Sequence, residues 1–214
     1  MLTDKILVKV ESKKYPIYFG NGIIKNTGKL IEQKLKNAKK IALITDKKLS
    51  TRIINKFRIS LKKYDVEIFR LVSTDKLKNI RATMHLTESL LKKNFNRSDC
   101  VIALGGGVIG DLSAFVSSIT KRGIKFVNIP TTLLAQVDAS IGGKTAINSS
   151  QGKNLIGTFY QPEFVVIDAS LLKTLPRREM IGGYAEILKH SLIHDKKFFI
   201  WLKKNGKKII NKNN

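Results

Sequence analysis

The apolar run CVIAL, Cys100–Leu104, passes straight into Gly105-Gly106-Gly107 and then into Val108-Ile109-Gly110-Asp111. A short, unbroken apolar run reads as a strand buried on both faces, and residues 108–119 after it read as a helix. A strand that turns into a helix through glycines constrains the chain to layered α/β packing. The spacing Gly105-x-Gly107-x-x-Gly110 has the form of a dinucleotide fingerprint. Glycines let the backbone approach a pyrophosphate, and the helix N-terminus offers free N–H donors and a favourable dipole. The fingerprint also asks for an acid about 20 residues downstream, but residues 112–137 hold no Asp or Glu. Asp46, just after IALIT (41–45), is the better ribose candidate, although it lies upstream. On residues alone, the turn fits a cofactor site and an ordinary tight turn equally well.

The rest of the chain extends the alternation. Strands are expected at 5–10 and 15–19 (a hairpin), 41–45, 66–72, 100–104, 125–129 (closed by Pro130) and 164–168. Helices are expected at 23–36, 48–63, 78–93 and 108–119. From about residue 177 the pattern changes to helices at 178–193 and 196–204, followed by a polar tail. The expected fold is α/β: a Rossmann-like domain with a mostly parallel sheet over 1–175, then the first helices of an all-helical domain over 176–214.

The chain has 214 residues and a formal net charge of +24. Such charge normally suggests nucleic acid or an anionic surface. Here the excess falls outside residues 98–172, a stretch with equal numbers of basic and acidic residues that also contains the glycine turn. It comes mostly from Lys, with only 8 Arg, in a chain also rich in Ile and Asn. That composition points to biased codon usage loading solvated faces, so no nucleic-acid partner is expected. No apolar run reaches the 18 or so residues of a membrane helix. Asp4 and the lack of a long apolar block argue against a secretory signal, so the expected compartment is the cytoplasm. The single Cys100 excludes an internal disulfide framework and a Cys-rich zinc site.

Polar residues crowd among glycines from 120 to 190. Thr131 and Thr132 after Pro130 suit a helix N-cap. Lys144 after Gly142-Gly143, and Lys153-Asn154 after Gly152, are expected on tight turns, where ammonium groups meet phosphate or carboxylate. Farther on, Glu186 and Lys189 share a helix face, and Glu186 and His190 are spaced i, i+4. That spacing suits two metal ligands, and equally an exposed ion pair beside a surface histidine.

Several long stretches in one order carry a resemblance: GGGVIGDLSAF, KRGIKFVNIPTTLLAQVDASIGGKTAIN, GKNLIGTFYQP, LLKTLPRRE and GGYAEILKH. Together they resemble the 3-dehydroquinate synthases of the sugar-phosphate cyclase superfamily, densely over 100–202 and more loosely over 1–99. The resemblance implies a lyase of the shikimate pathway, using NAD and a divalent metal, zinc or cobalt. It would convert 3-deoxy-D-arabino-heptulosonate 7-phosphate to 3-dehydroquinate and phosphate, with NAD regenerated each turnover.

By the same resemblance, Asp46 would hold the adenosine ribose, and Gly107, Val108, Ile109, Gly110 and Asp111 the pyrophosphate. Thr131, Thr132, Lys144, Lys153, Leu171, Leu172, Lys173 and Thr174 would line the NAD site. Lys78 matches the Lys of a G-E-x-x-K segment whose Glu is Asp75 here. Arg122, Asp138, Lys144, Asn154 and Lys189 match substrate-contacting positions, with Arg122 reaching a partner subunit and so implying a homodimer. Glu186 matches the carboxylate metal ligand, and His190 matches no ligand. Family members carry two further histidine ligands in a following helical domain, in motifs this sequence does not contain. The expectation is a chain that binds NAD but turns over only with a C-terminal half, whether supplied as a separate chain or lost, and that leaves Ile187, Leu188, Phe198 and Trp201 without apolar cover. The alternatives are an inactive remnant, a related cyclase with another sugar phosphate and, last, a nucleic-acid binder.

Overall fold

The computed structural model describes residues 4–11 and 13–211. Strands β1 (Asp4–Val10) and β2 (Lys13–Gly20) form an antiparallel hairpin in the register Asp4↔Phe19 to Val10↔Lys13. A 3₁₀ turn, Ile23–Asn26, leads into α1 (Thr27–Lys34). Next come β3 (Lys40–Asp46), α2 (Thr51–Ser60), β4 (Asp65–Leu71), α3 (Ile80–Lys92), β5 (Cys100–Gly105), α4 (Gly107–Ile119) and β6 (Lys125–Pro130). An antiparallel hairpin of β7 (Lys144–Ser149) and β8 (Gly152–Phe159) precedes β9 (Phe164–Asp168). Helices α5 (Arg177–His194) and α6 (Lys196–Ile210) follow.

Seven strands form one sheet in the order β1-β2-β9-β6-β5-β3-β4, and every pairing except β1–β2 is parallel. Strand alternation explains the unbroken apolar runs. Ile41, Leu43, Ile102 and Leu104 face α1 and α2, packing with Ile31, Leu35, Ile54 and Phe57. Ala42, Ile44, Val101 and Ala103 face α3 and α4, packing with Leu86, Leu90, Leu112 and Val116. Helices cover both faces, so neither parity of residue can be polar.

The connection from β3 runs outward to β4, whereas that from β5 runs the other way to β6. The carboxyl ends of β3 and β5 therefore border a topological switch point, the position where open α/β sheets form a ligand crevice. Asp46 and Gly105 sit at those two ends.

Three sequence expectations are corrected. Lys144 lies on β7 and Lys153 and Asn154 on β8, a paired hairpin rather than a series of turns. The expected polar tail is helical as far as Ile210, because α6 repeats apolar residues at helical spacing and buries Leu202. Ile187 is half-buried against a small cluster of Leu133, Leu175 and Met180, and Leu188 is also half-buried. Phe198 and Trp201 stack with ring centroids 6.1 Å apart and remain 39% and 52% exposed. No helix among the described residues is long and apolar enough to cross a membrane.

Candidate cofactor and metal site

The glycine turn leaves a groove. Gly106 caps α4 without a side-chain hydrogen bond, so the first N–H groups of the helix face outward. A Cβ on Gly106 would lie 3.0 Å from Thr132 Cγ2, and one on Gly107 would lie 3.5 Å from Ala139 Cβ. The space between the α4 N-terminus and the turn after β6 is thus open because these residues are glycines. The Ile109 side chain is buried in the core, so only its backbone can serve a ligand. The Gly110 N–H is already donated to Gly106 O at 3.0 Å. The Thr132 hydroxyl accepts from Ala135 N at 3.2 Å, the cap expected from the sequence.

Beside this groove lies a cavity of about 660 Å³ whose lining includes Asp111, Asp138, Gly142, Lys144, Asn154 and Thr158. One wall rests on a buried cation. Lys78, 7% exposed, donates to Asp111 Oδ2 at 2.5 Å and to Asn154 Oδ1 at 2.6 Å. Burial pushes the Asp111 carboxyl above the usual carboxylate range, Lys78 opposes that shift, and the nearby Asp138 charge adds to it. Asn154 has φ +59°, a left-handed conformation that Asn tolerates better than most residues. Its backbone N–H donates to Asn148 Oδ1, and Asn148 N donates to Lys78 O. Lys153 pairs with Asp75 at 2.5 Å, and this hydrogen bond with its charge holds Asp75 below the usual range. The hairpin tip is therefore fastened to the segment before α3 by residues far apart in the sequence.

On the other side, a π-helical turn, Ala135–Ala139, carries Asp138. Helix α5 approaches it closely, for a Cβ on Gly183 would lie 2.5 Å from Leu133 Cβ and 2.6 Å from Leu134 N. Glu186 is bonded to Lys189 and to His190 Nε2, the latter at 3.1 Å. The Lys189 hydrogen bond lowers the Glu186 pKa, and Glu186 raises that of Lys189. Asp138, Glu186 and His190 each offer a ligand atom within 4.8 Å of the others. One imidazole and two carboxylates suit zinc or cobalt, so the donor chemistry fits a divalent metal.

The remaining site residues from the sequence are more dispersed. Asp46 Oδ1 accepts from Lys48 N at 2.8 Å at the carboxyl end of β3. Leu171, Leu172, Lys173 and Thr174 fall in a 3₁₀ turn, Ala169–Thr174, after β9. Arg122 stands in the turn at the far end of α4 and does not line the cavity. Sequence reasoning missed Asp168. Its fully buried carboxylate accepts from Gly22 N, Ile24 N, Ser170 N and Ser170 Oγ at 2.6–2.9 Å. Its position at the carboxyl end of an apolar strand was the available signal.

A doubly wound parallel sheet with a glycine turn at its switch point defines an α/β protein of the Rossmann-like class. Residues 68–182 match the family described as 3-dehydroquinate synthase N-terminal. The chain belongs to the 3-dehydroquinate synthase family. It is 50% identical over 206 residues to a 3-dehydroquinate synthase of Pelagibacter ubique, covering 96% of this chain and 56% of the relative. It is 45% identical over 202 residues to one from Alkaliphilus metalliredigens, covering 94% and 56%. The chain therefore spans about half the length of the curated relatives it matches. Among solved structures, a 2-epi-5-epi-valiolone synthase from Streptomyces hygroscopicus with NAD+ and Zn2+ bound superposes with TM-score 0.83 at 26% identity, covering 95% of this chain and 56% of that one. A 2-deoxy-scyllo-inosose synthase complexed with carbaglucose-6-phosphate, NAD+ and Co2+ gives 0.81 at 26%, covering 87% and 50%.

Proposed function

We propose that this chain carries the NAD-binding part of 3-dehydroquinate synthase, with residues 1–175 forming the cofactor domain and 176–214 opening a helical, metal-binding one. The observation that carries this reading is the cavity lined by Asp111, Asp138, Lys144 and Asn154 beside the α4 N-terminus, in a chain of this family. The reaction is elimination of phosphate from 3-deoxy-D-arabino-heptulosonate 7-phosphate and closure of the ring to 3-dehydroquinate. When bound, NAD supplies reversible hydride acceptance, and a divalent metal held by Glu186 polarises the hydroxyl being oxidised.

The chain's own residues bind and orient. Gly107, Val108 and Ile109 present the first N–H groups of α4 to the pyrophosphate, and Gly110 shapes the turn. Asp46 takes the ribose hydroxyls at the carboxyl end of β3. Thr131, Thr132, Asp75, Lys153 and the 171–174 turn close the rim of the NAD site. Lys78 neutralises Asp111 and holds the Asn154 carbonyl, which directs the Asn154 NH2 toward the ligand. Lys144 and Lys189 supply cationic contacts for the substrate's phosphate and carboxylate. Asp138 holds a substrate hydroxyl at the rim. Arg122, remote from this cavity, serves the partner's site in a homodimer. The proposed compartment is the cytoplasm.

Turnover is expected when these residues act together with the second half that the relatives carry. The test measures phosphate release and 3-dehydroquinate from the heptulosonate phosphate with NAD+ and Zn2+, with and without the C-terminal half of the Pelagibacter relative. Turnover only in the combined mixture supports the reading, and equal turnover by the chain alone refutes the dependence. The similarity to cyclases of other names favours a second reading, a cyclase for another sugar phosphate. Product analysis with several heptose and hexose phosphates separates the two.

A further inference from the structure

We propose that Gln136 is a positioning residue, whose side-chain amide bridges the parted carboxyl ends of β6 and β9 and so fixes the π-helical turn that carries Asp138. This rests on the reading above for the part Asp138 plays toward substrate. Strands β6 and β9 are neighbours in the sheet, yet they pair only at Val127↔Phe164 and Asn128↔Val165. Their outer pairings run farther: β5 follows β6 to Gly105↔Pro130, and β2 follows β9 to Gly20↔Asp168. The sheet therefore parts between β6 and β9 at its carboxyl edge, the edge that borders the site. A backbone carbonyl facing such a gap has no strand partner across it, and a buried carbonyl left unpaired is costly. Gln136 occupies this place. It is 6% exposed, and its Nε2 donates to Pro130 O and to Asp168 O, each at 3.1 Å. A side-chain amide NH2 carries two hydrogens, and both are used here. Both acceptors are carbonyl oxygens, so the hydrogen-bond chemistry fixes which end of the amide faces them.

The bridge lies within the turn it holds. Gln136 belongs to Ala135–Ala139, which closes through Ser140 N donating to Ala135 O at 3.1 Å, a five-residue spacing. Two residues after Gln136, Asp138 lines the cavity. Turns of this kind are rare, and they occur mostly as single turns at functional sites. Val137 packs against the cluster of Leu133, Leu175 and Met180, a contact without directional preference. The two Gln136 hydrogen bonds supply the directional tie, joining the turn to two strands at once. Without them the turn is free to relax toward α-helical geometry, which re-aims Asp138 and leaves the sheet intact.

The test compares the 214-residue chain with Gln136→Leu and Gln136→Met, which keep the bulk and cannot donate. Circular dichroism reports folding, and amide hydrogen exchange is read residue by residue. Expected in both variants is exchange at the Ser140 and Ile141 amides about tenfold or more faster, beyond any rise at the Val101 to Leu104 amides of β5. Parent-like exchange at Ser140 and Ile141 would overturn the proposal. So would a uniform rise that includes Val101 to Leu104, or failure of both variants to fold, because either marks Gln136 as a general stabiliser. The mixture with the C-terminal half of the Pelagibacter relative adds a kinetic readout. There the KM for the heptulosonate phosphate should rise about tenfold with kcat changed little, the signature of a lost binding contact. An unchanged KM would overturn the proposal. No turnover by the parent mixture refutes the reading above, and the exchange result then decides the bridge by itself.

Discussion

At the residue scale, the site depends on one buried ion pair. Lys78 and Asp111 are 33 positions apart and meet at 2.5 Å with side chains 8% and 23% exposed. Breaking a buried pair by removing one partner leaves an uncompensated charge, so Lys78→Met should destabilise by about 2–4 kcal/mol in urea unfolding. The loss should depend on pH. The folded pKa of Asp111 lies above its unfolded value, so its ionisation lowers stability as pH rises through the interval between the two. Without Lys78, the opposing effect is gone and that interval widens upward. The variant should therefore lose more stability at pH 8 than at pH 5. Asp168 makes a second case. Asp168→Ala would leave buried N–H donors unmatched and should cost about 2–4 kcal/mol by the same measurement. Asp111 and Lys78 were each singled out through motif resemblance, but their pairing was not legible, because nothing local links residues so far apart. Asp168 was read only as the end of a strand. A carboxylate that organises backbone donors from two distant turns has no short-range pattern.

At the element scale, legibility followed burial. The central strands of the main sheet stood out because helices cover both faces and leave unbroken apolar runs such as IALIT and CVIAL. The β7–β8 hairpin did not stand out. Its second strand lies on the surface, with Leu155 62% and Phe159 78% exposed, and its Lys, Asn and Gly residues mimic loop composition. The reading of Lys144, Lys153 and Asn154 as turn residues fell with it, while Lys144 and Asn154 line one cavity. Helix α5 was legible as a helix, but its docking was not. That docking requires Gly183, because an added Cβ would collide with the backbone at Leu134 N, 2.6 Å away. Gly183→Ala should shift α5, cost about 1–3 kcal/mol in thermal or urea unfolding, and move Glu186 away from Asp138. A variant as stable as the parent would show that this approach is not required.

At the scale of the whole molecule, the charge and the chemistry occupy different places. The stretch 98–172 is electrically balanced and supplies the glycine turn together with the lining of the cavity, while the +24 excess belongs to the segments around it. The switch point between β3 and β5 sets the position of the site. Its two marks, Asp46 and the glycines, were visible in the sequence, but only the strand order shows that they border one crevice. The proposed binding there would stabilise the folded chain by about 2.7 kcal/mol with NAD+ at 100 times its Kd. The most direct measurement is calorimetric titration of NAD+ into the chain and into Gly107→Val. The variant's Cβ has ordinary clearance from Ala139, so the fold should persist while the groove is filled. Saturable 1:1 binding to the parent, weakened tenfold or more in the variant, is the expected result. No binding to the parent, or equal binding to both, would contradict the assignment of the glycine turn as the NAD site.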